Sequence, residues 1–539
     1  MNAHQKVTQR PDRLAERLGE FVATWRLEDT PAETVADTKR LMLDTFACML
    51  GGTTVQPRHD MFRALAAAGG AGRATVLGTG ERLSAAGAAL VNAEAGAALS
   101  AQDSFFFSHT ANLTLAVALA LCEQRGASGR DLLTAFLVGF ETTSVADLLG
   151  PARLPVLDAT PRTTPAGTRR PFVAVGAAAA AARALGLGPE QTRHALTIAA
   201  ASAPGDAGVR TTLSCMNYYS YHDKAQAGIS AAVLGGQGFT GHPESLEALL
   251  QQTPAAADAL EPDRDRLIDD IGRHWWIRET CIKLYPTCRY LSGPVDLFAS
   301  LVRDHDLAAD EIEAVTVRLS PTAAALPMIA AADQPLDPAD PATPLNLVFN
   351  APYQLALLAS RVPPGPDWFD QVWLTEPAVL DFMRRVRIEV DEDMGRVLRE
   401  DVLRDRHHRI AKSGGAGLSV RARGQTFTQD CDVVRGDPWS PSTRAPDDVL
   451  VEKLRVYSAG LLPDNTVDDV ADLVLNIESL DDMDTLVSRL VPRGGTHSRV
   501  TRRAPRVTPP IGRHSEQGDT RAVSRPRNTQ PLFPAVEPT

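Results

Sequence analysis

The sequence predicts a two-domain, mainly α protein, in which a large all-α helical domain carries a smaller α+β domain inserted into it. Three observations point there. The chain has 539 residues, too many for one ordinary core. Through the first half, apolar residues recur at three- to four-residue spacing between helix start and stop signals. After about residue 276 the texture changes to alternating apolar and polar runs, and helical patterns return over 446–490. Residues 10–275 together with 441–490 are therefore assigned to a discontinuous helical domain and 276–440 to the inserted domain. Residues 491–539 are rich in Arg and Pro, poor in aliphatics and without periodicity; they are expected to be disordered and are left out of the fold.

The elements follow in order. Thr30-Pro31-Ala32-Glu33 reads as a capping box with proline at the first helical position, and Gly51-Gly52 as the stop of that helix. A helical hairpin spans 112–148, with the turn Gly126-Ala127-Ser128-Gly129 and Asp131 three residues after Ser128. An Ala-rich helix at 173–186 pairs with a helix at 189–203, and a small-residue helix covers 224–239. Half-buried strands are expected at 311–321 and 385–394, and a hairpin at 417–436 turning at Arg423-Gly424.

Composition limits the function. Lys and Arg number 55 against 66 Asp and Glu, a formal charge of -11, which argues against a nucleic-acid partner. The six cysteines form no CxxC pair and no disulfide framework, so reduced thiols in a cytoplasmic protein are expected, with no metal site. The N-terminal stretch is charged where a signal peptide needs an apolar run, and 171–188 reads as a buried helix, not a membrane span.

Several ordered blocks resemble a known family. They are Leu41–Gly52, His109–Glu141, Ala174–Gly205, Gly228–Glu247, the KLYPTCRY segment from Lys283, the segment 345–358 and the GDPWSPST turn at 436–443. Together they resemble the MmgE/PrpD family across roughly 15–490. The resemblance implies an all-α domain with a smaller α/β lid, a homodimer, and proton transfer next to a carboxylate without metal or other cofactor. Activities in the family include 2-methylcitrate dehydration, cis-aconitate decarboxylation and an epimerisation. A dehydratase-like lyase acting on a small di- or tricarboxylate is the leading expectation. The alternatives are a decarboxylase or isomerase of the same family, and an inactive relative acting as a binding or assembly protein.

The same resemblance singles out residues. Asp103 and His109 are expected to act as acid and base, Lys283 to hold a substrate carboxylate, and Tyr353 to donate a proton. Arg289 would grip a carboxylate, with Lys224, His222 and Arg170 as further binding candidates. The sequence also departs from the family pattern. A family lysine falls near Asn217 or Tyr218, a family histidine falls among Thr168, Arg169 and Arg170, and another is replaced near Ser292. Thr110 stands where a proline is usual, and Phe105-Phe106-Phe107 suggests a smaller or more apolar pocket mouth. Asp103, His109, Lys283 and Tyr353 converging on one pocket would support the enzyme reading.

Overall fold

The computed structural model describes residues 13–56, 58–105, 108–149, 172–202, 216–251, 263–326, 343–404 and 415–492, with residues 329, 336–338 and 340 between. The Arg/Pro-rich segment from 493 onward lies outside the described residues.

The helical body opens with α1 (Arg13–Thr24) and α2 (Ala32–Gly52). The capping box expected at Thr30 does not form. The Thr30 hydroxyl instead accepts the Trp25 indole N–H at 2.8 Å, and the N-cap of α2 is Pro31, which has no capping side chain. After α3 (Arg58–Ala67) comes a two-strand hairpin, β1 (Ala71–Thr75) and β2 (Arg82–Leu83), that the short unpatterned sequence gave no reason to expect. Next are α4 (Ala85–Ala98), α5 (Ala111–Arg125) and α6 (Gly129–Leu149). The turn between α5 and α6 forms as its residues dictate. Gly126 takes a left-handed φ of 63°, and the Ser128 and Asp131 side chains each accept the other's backbone N–H.

Three Ala-rich helices complete the body: α7 (Phe172–Leu185), α8 (Pro189–Ser202) and α9 (Met216–Gly236). Helix α9 begins ahead of the expected 224, because the aromatic run Tyr218, Tyr219 and Tyr221 is a weak helix signal in sequence. Helix α7 is central and packs on α5, α6, α8 and α9. Small residues permit this close approach: a β-carbon on Gly139 would lie 2.7 Å from Ala180 Cβ, and one on Gly228 2.5 Å from Ala177 Cβ. Helix α6 is long and apolar enough to cross a membrane, yet its apolar stretch is buried within the fold.

The second unit starts from α10 (Ser292–Asp304) and β3 (Ile312–Leu319), followed by α11 (Ala351–Ala359), β4 (Val386–Val390), β5 (Ala416–Ala422) and β6 (Gln425–Cys431). The sheet order is β4-β3-β5-β6, with β3 parallel to β4 and antiparallel to β5. Arg423 and Gly424, at φ 52° and 68°, make the expected tight turn between β5 and β6. Helix α10 covers β5 and β6, and α11 packs on α10. Two later helices, α12 (Asp447–Tyr457) and α13 (Asp464–Leu475), return to pack on α2. The mainly α, two-part architecture expected from the sequence is the one observed. The five described cysteines are unpaired.

Helix α9 tests the packing argument. Gly228→Ala would press a methyl group against Ala177, and we expect it to destabilise the fold by about 1–3 kcal/mol, read as a lower thermal midpoint.

Candidate active site

Three stretches of chain meet where the helical body faces the second unit: the loop between α4 and α5, the segment 280–289, and the turn 434–445. Backbone pairing joins the first two, Ser104 and Cys281 exchanging N–H···O bonds of 2.9 and 3.0 Å. The Ile282 N–H donates to the Gly436 carbonyl at 2.9 Å, which brings in the third.

Asp103 sits at the centre of the first loop and is fully buried. Its carboxylate accepts the backbone N–H of Thr110 at 3.1 Å and of Ala111 at 3.2 Å, the first amides of α5, where the helix dipole favours an anion. Thr110 matters here because proline, usual at this position, has no N–H to give. Even so, burial raises the Asp103 pKa to about 7, with those two amides and the Lys283 charge opposing the shift. His109 is tied to the same residue, its Nδ1 lying 2.6 Å from the Asp103 carbonyl. A carbonyl only accepts, so Nδ1 carries the proton.

Lys283 is buried on the second stretch. Its ammonium has two long contacts, donating to Ser100 Oγ and to the Thr287 carbonyl, each at 3.3 Å. Burial lowers its pKa to about 8, against the opposing influence of Cys288, Cys281 and Asp103. Ser100 adopts a left-handed φ of 50°, uncommon for a residue other than glycine. Thus a carboxyl group and an amine, each buried and each displaced toward neutrality, act on one another in one enclosed place.

The other candidates are distributed as follows. The Arg289 guanidinium donates through Nη2 to Asp437 at 2.5 Å, and Asp437 in turn accepts the Val434 N–H at 3.0 Å. Its Nη1 is buried and meets no hydrogen-bond partner among the described residues. Tyr353 is not placed as the expected proton donor: its buried hydroxyl donates to the Trp368 carbonyl at 2.7 Å, and burial raises its pKa. The next residue, Gln354, is the one that reaches the site segment, accepting the Thr287 hydroxyl at 2.7 Å. Lys224 is buried within α9, 3.4 Å from Asp223. The side chains of His222, Asn217 and Tyr218, and all of Arg170, lie outside the described residues. So the structure brings together Asp103, His109 and Lys283, with Arg289 farther along the same segment as Lys283. Phe105 does not line a mouth; it packs into the core 6.3 Å from Phe140 and 6.1 Å from Trp276. Among the described residues, no three His, Cys, Asp or Glu side chains group as metal ligands would.

Sequence reasoning missed a second buried pair beneath the first. Lys453 of α12 donates to Asp44 of α2 at 2.5 Å and to the carbonyls of Ala101 and Lys283 at 2.8 Å each. The signal was present: Val449, Leu450, Leu454 and Tyr457 form the buried face of α12, and Lys453 lies on that face.

A shallow cleft lies nearby, lined by Asp37, Arg40, Arg278, Ile282, Gly436 and Arg444 among others. Each guanidinium there already meets a carboxylate: Arg444 with Asp37 at 2.6 Å, Arg278 with Glu33 at 2.9 Å, Arg40 with Asp447 at 2.7 Å. Neither Asp103 nor Lys283 lines it.

The raised pKa of Asp103 has a consequence for stability. Between the ordinary carboxyl value and about 7 the folded state holds a proton that the unfolded state has lost, so stability falls as pH rises through that window. Asp103→Asn removes this term. Its melting temperature relative to the parent protein should therefore climb between pH 4 and pH 7 and level off above, in a pH series of thermal melts.

The family model for the MmgE/PrpD N-terminal domain matches residues 16–252, and that for the MmgE/PrpD C-terminal domain matches 285–478. The latter runs through α12 and α13, although both helices pack on α2. Among curated proteins, the chain is similar to a cis-aconitate decarboxylase of Aspergillus terreus strain NIH 2624, 23% identical over 86% of this chain and 93% of the relative. A cis-aconitate decarboxylase-like protein, oryM of Aspergillus oryzae, is 25% identical over 56% of this chain and 65% of its own length. With both domain models matched in order over most of its length, the chain belongs to the MmgE/PrpD family, as a divergent member.

Proposed function

We propose that this protein is a lyase that acts on a small di- or tricarboxylate by proton transfer at a carbon next to a carboxylate, without metal or other cofactor. One observation carries the reading: Asp103 and Lys283, buried together, are displaced to pKa values of about 7 and about 8, where each can exchange a proton near neutrality. Lys283 would hold a substrate carboxylate and stabilise charge that develops beside it. The free edge of Arg289 would hold a second carboxylate. Asp103, still protonated up to about pH 7, would be the acid, and His109, through its bond to the Asp103 carbonyl, would set that loop's geometry.

Two reactions use this arrangement. In decarboxylation a carboxylate leaves as carbon dioxide, its bonding pair passes to the carbon conjugated with a second carboxylate, and that carbon takes a proton from Asp103. In dehydration a base removes the proton next to a carboxylate, and the hydroxyl group leaves as water with a proton from the acid. The names of the similar fungal proteins favour testing decarboxylation of the cis-aconitate type first. Dehydration of the 2-methylcitrate type comes second. The family resemblance supports a homodimer, and we propose a cytoplasmic setting. The changed residues at Asn217, Thr168 and Ser292 favour a second reading, an inactive relative that binds a partner.

Proton NMR in deuterated water against cis-aconitate, 2-methylcitrate and citrate separates these readings. The lyase reading predicts consumption of at least one of them, with Lys283→Ala lowering kcat/KM about a hundredfold or more. Consumption that survives Lys283→Ala unchanged would contradict the site, and no consumption of any of them would favour the inactive relative.

A further inference from the structure

We propose that Lys453 is a positioning residue: its ammonium, anchored on Asp44, holds in register the two backbone segments that carry Asp103 and Lys283. The proposal deepens the site reading above and rests on it for its relevance to catalysis.

The geometry is specific. An ammonium has three hydrogens, and Lys453 places one on Asp44 Oδ1, one on the Ala101 carbonyl and one on the Lys283 carbonyl. Ala101 lies two residues before Asp103, and the second carbonyl belongs to the site lysine itself. Four remote parts of the chain, in α2, the loop after α4, the segment after 280, and α12, thus converge on one nitrogen. Lys453 and Asp44 are both fully buried, and the Tyr457 ring lies 5.3 Å from the ammonium, so these bonds are shielded from bulk solvent.

Stability alone does not account for such a pair. A buried ion pair loses much hydration, and well-packed apolar residues of similar volume often serve the fold as well or better. What apolar residues cannot do is bind two carbonyls of separate segments at a common point. The Ser104–Cys281 pairing lies three residues from Ala101 and two from Lys283 and runs between the same segments, so loosening the junction should loosen that pairing. The consequence reaches Lys283 directly, because its backbone is held on one side by Lys453 and, among the described residues, its ammonium hydrogen-bonds only at long range, to Ser100 and Thr287.

The test separates positioning from bulk stability. In the full chain, Lys453→Met leaves Asp44 and two carbonyls unpaired, whereas the double variant Asp44→Leu with Lys453→Met removes the stranded charge. Hydrogen exchange read by mass spectrometry reports peptides covering 100–111 and 280–289 without any substrate. We expect exchange there to quicken about tenfold or more in the double variant even where its melting temperature is restored, while α6 and α7 keep their protection. Lys453→Arg, which keeps the charge, should fall between the parent and the methionine variants. On a substrate found to turn over, the double variant should lower kcat about tenfold with KM changed less than about threefold.

Parent-like exchange in both segments of a stable double variant would overturn the proposal, as would quickening spread evenly over the chain. Should the methionine variants not fold, the same comparison in Lys453→Arg decides: local quickening supports the proposal and parent-like exchange overturns it. A protein with no turnover on any carboxylate but with local quickening would contradict the lyase reading and leave the clamp standing.

Discussion

A lysine ammonium sealed in a helical core must find three acceptors, and in this protein the acceptors of Lys453 define how the two units meet. Asp44 comes from the long second helix, the Ala101 carbonyl from the loop that presents Asp103, and the Lys283 carbonyl from the segment entering the second unit. The helix that supplies Lys453 follows the sheet in sequence yet packs on α2. The chain therefore leaves the helical body, builds the sheet, and returns to close the junction through one nitrogen. The chemistry proposed for Asp103 and Lys283 depends on that closure, because both groups sit outside the helices and strands, on segments that Lys453 ties together.

The body that carries the loop is rigid for a plain reason. Alanine and glycine line the contacts of α6, α7 and α9, so these helices approach more closely than larger side chains would permit, and side-chain entropy lost on packing is small. A site on a loop gains precision from such a base. The left-handed Ser100 and the amides that open α5 convert it into local geometry: the first turns the chain sharply after α4, the second hold the Asp103 carboxylate. Thr110 adds an amide that a proline at the same position would lack.

Much of the fold was legible because local chemistry and global packing agree. Gly126 with Ser128 and Asp131 specifies the α5–α6 turn, and Arg423-Gly424 specifies the β5–β6 turn, each by backbone needs that few residues meet. Where a residue had two physically sound uses, the sequence did not choose between them. Thr30 looks like a helix cap but takes an indole N–H, and Tyr353 looks like an acid but bonds a backbone carbonyl. Of the site, Asp103, His109 and Lys283 were named through family resemblance. Asp44, Asp437 and Gln354 were not, because each meets its partner across a long stretch of chain. Lys453 betrayed itself only by standing on an apolar helix face, a pattern that also fits a lysine whose stem lies along the surface.

The proposed lyase chemistry requires that the buried Asp103–Lys283 pair receive a substrate carboxylate. A crystal structure of the full chain grown with cis-aconitate tests it most directly. The account predicts a ligand carboxylate within hydrogen-bonding distance of Lys283 Nζ, replacing its long contacts to Ser100 and Thr287, with the reacting carbon facing Asp103. A ligand bound instead in the arginine-lined cleft, with Lys283 still on Ser100 and Thr287, would contradict it.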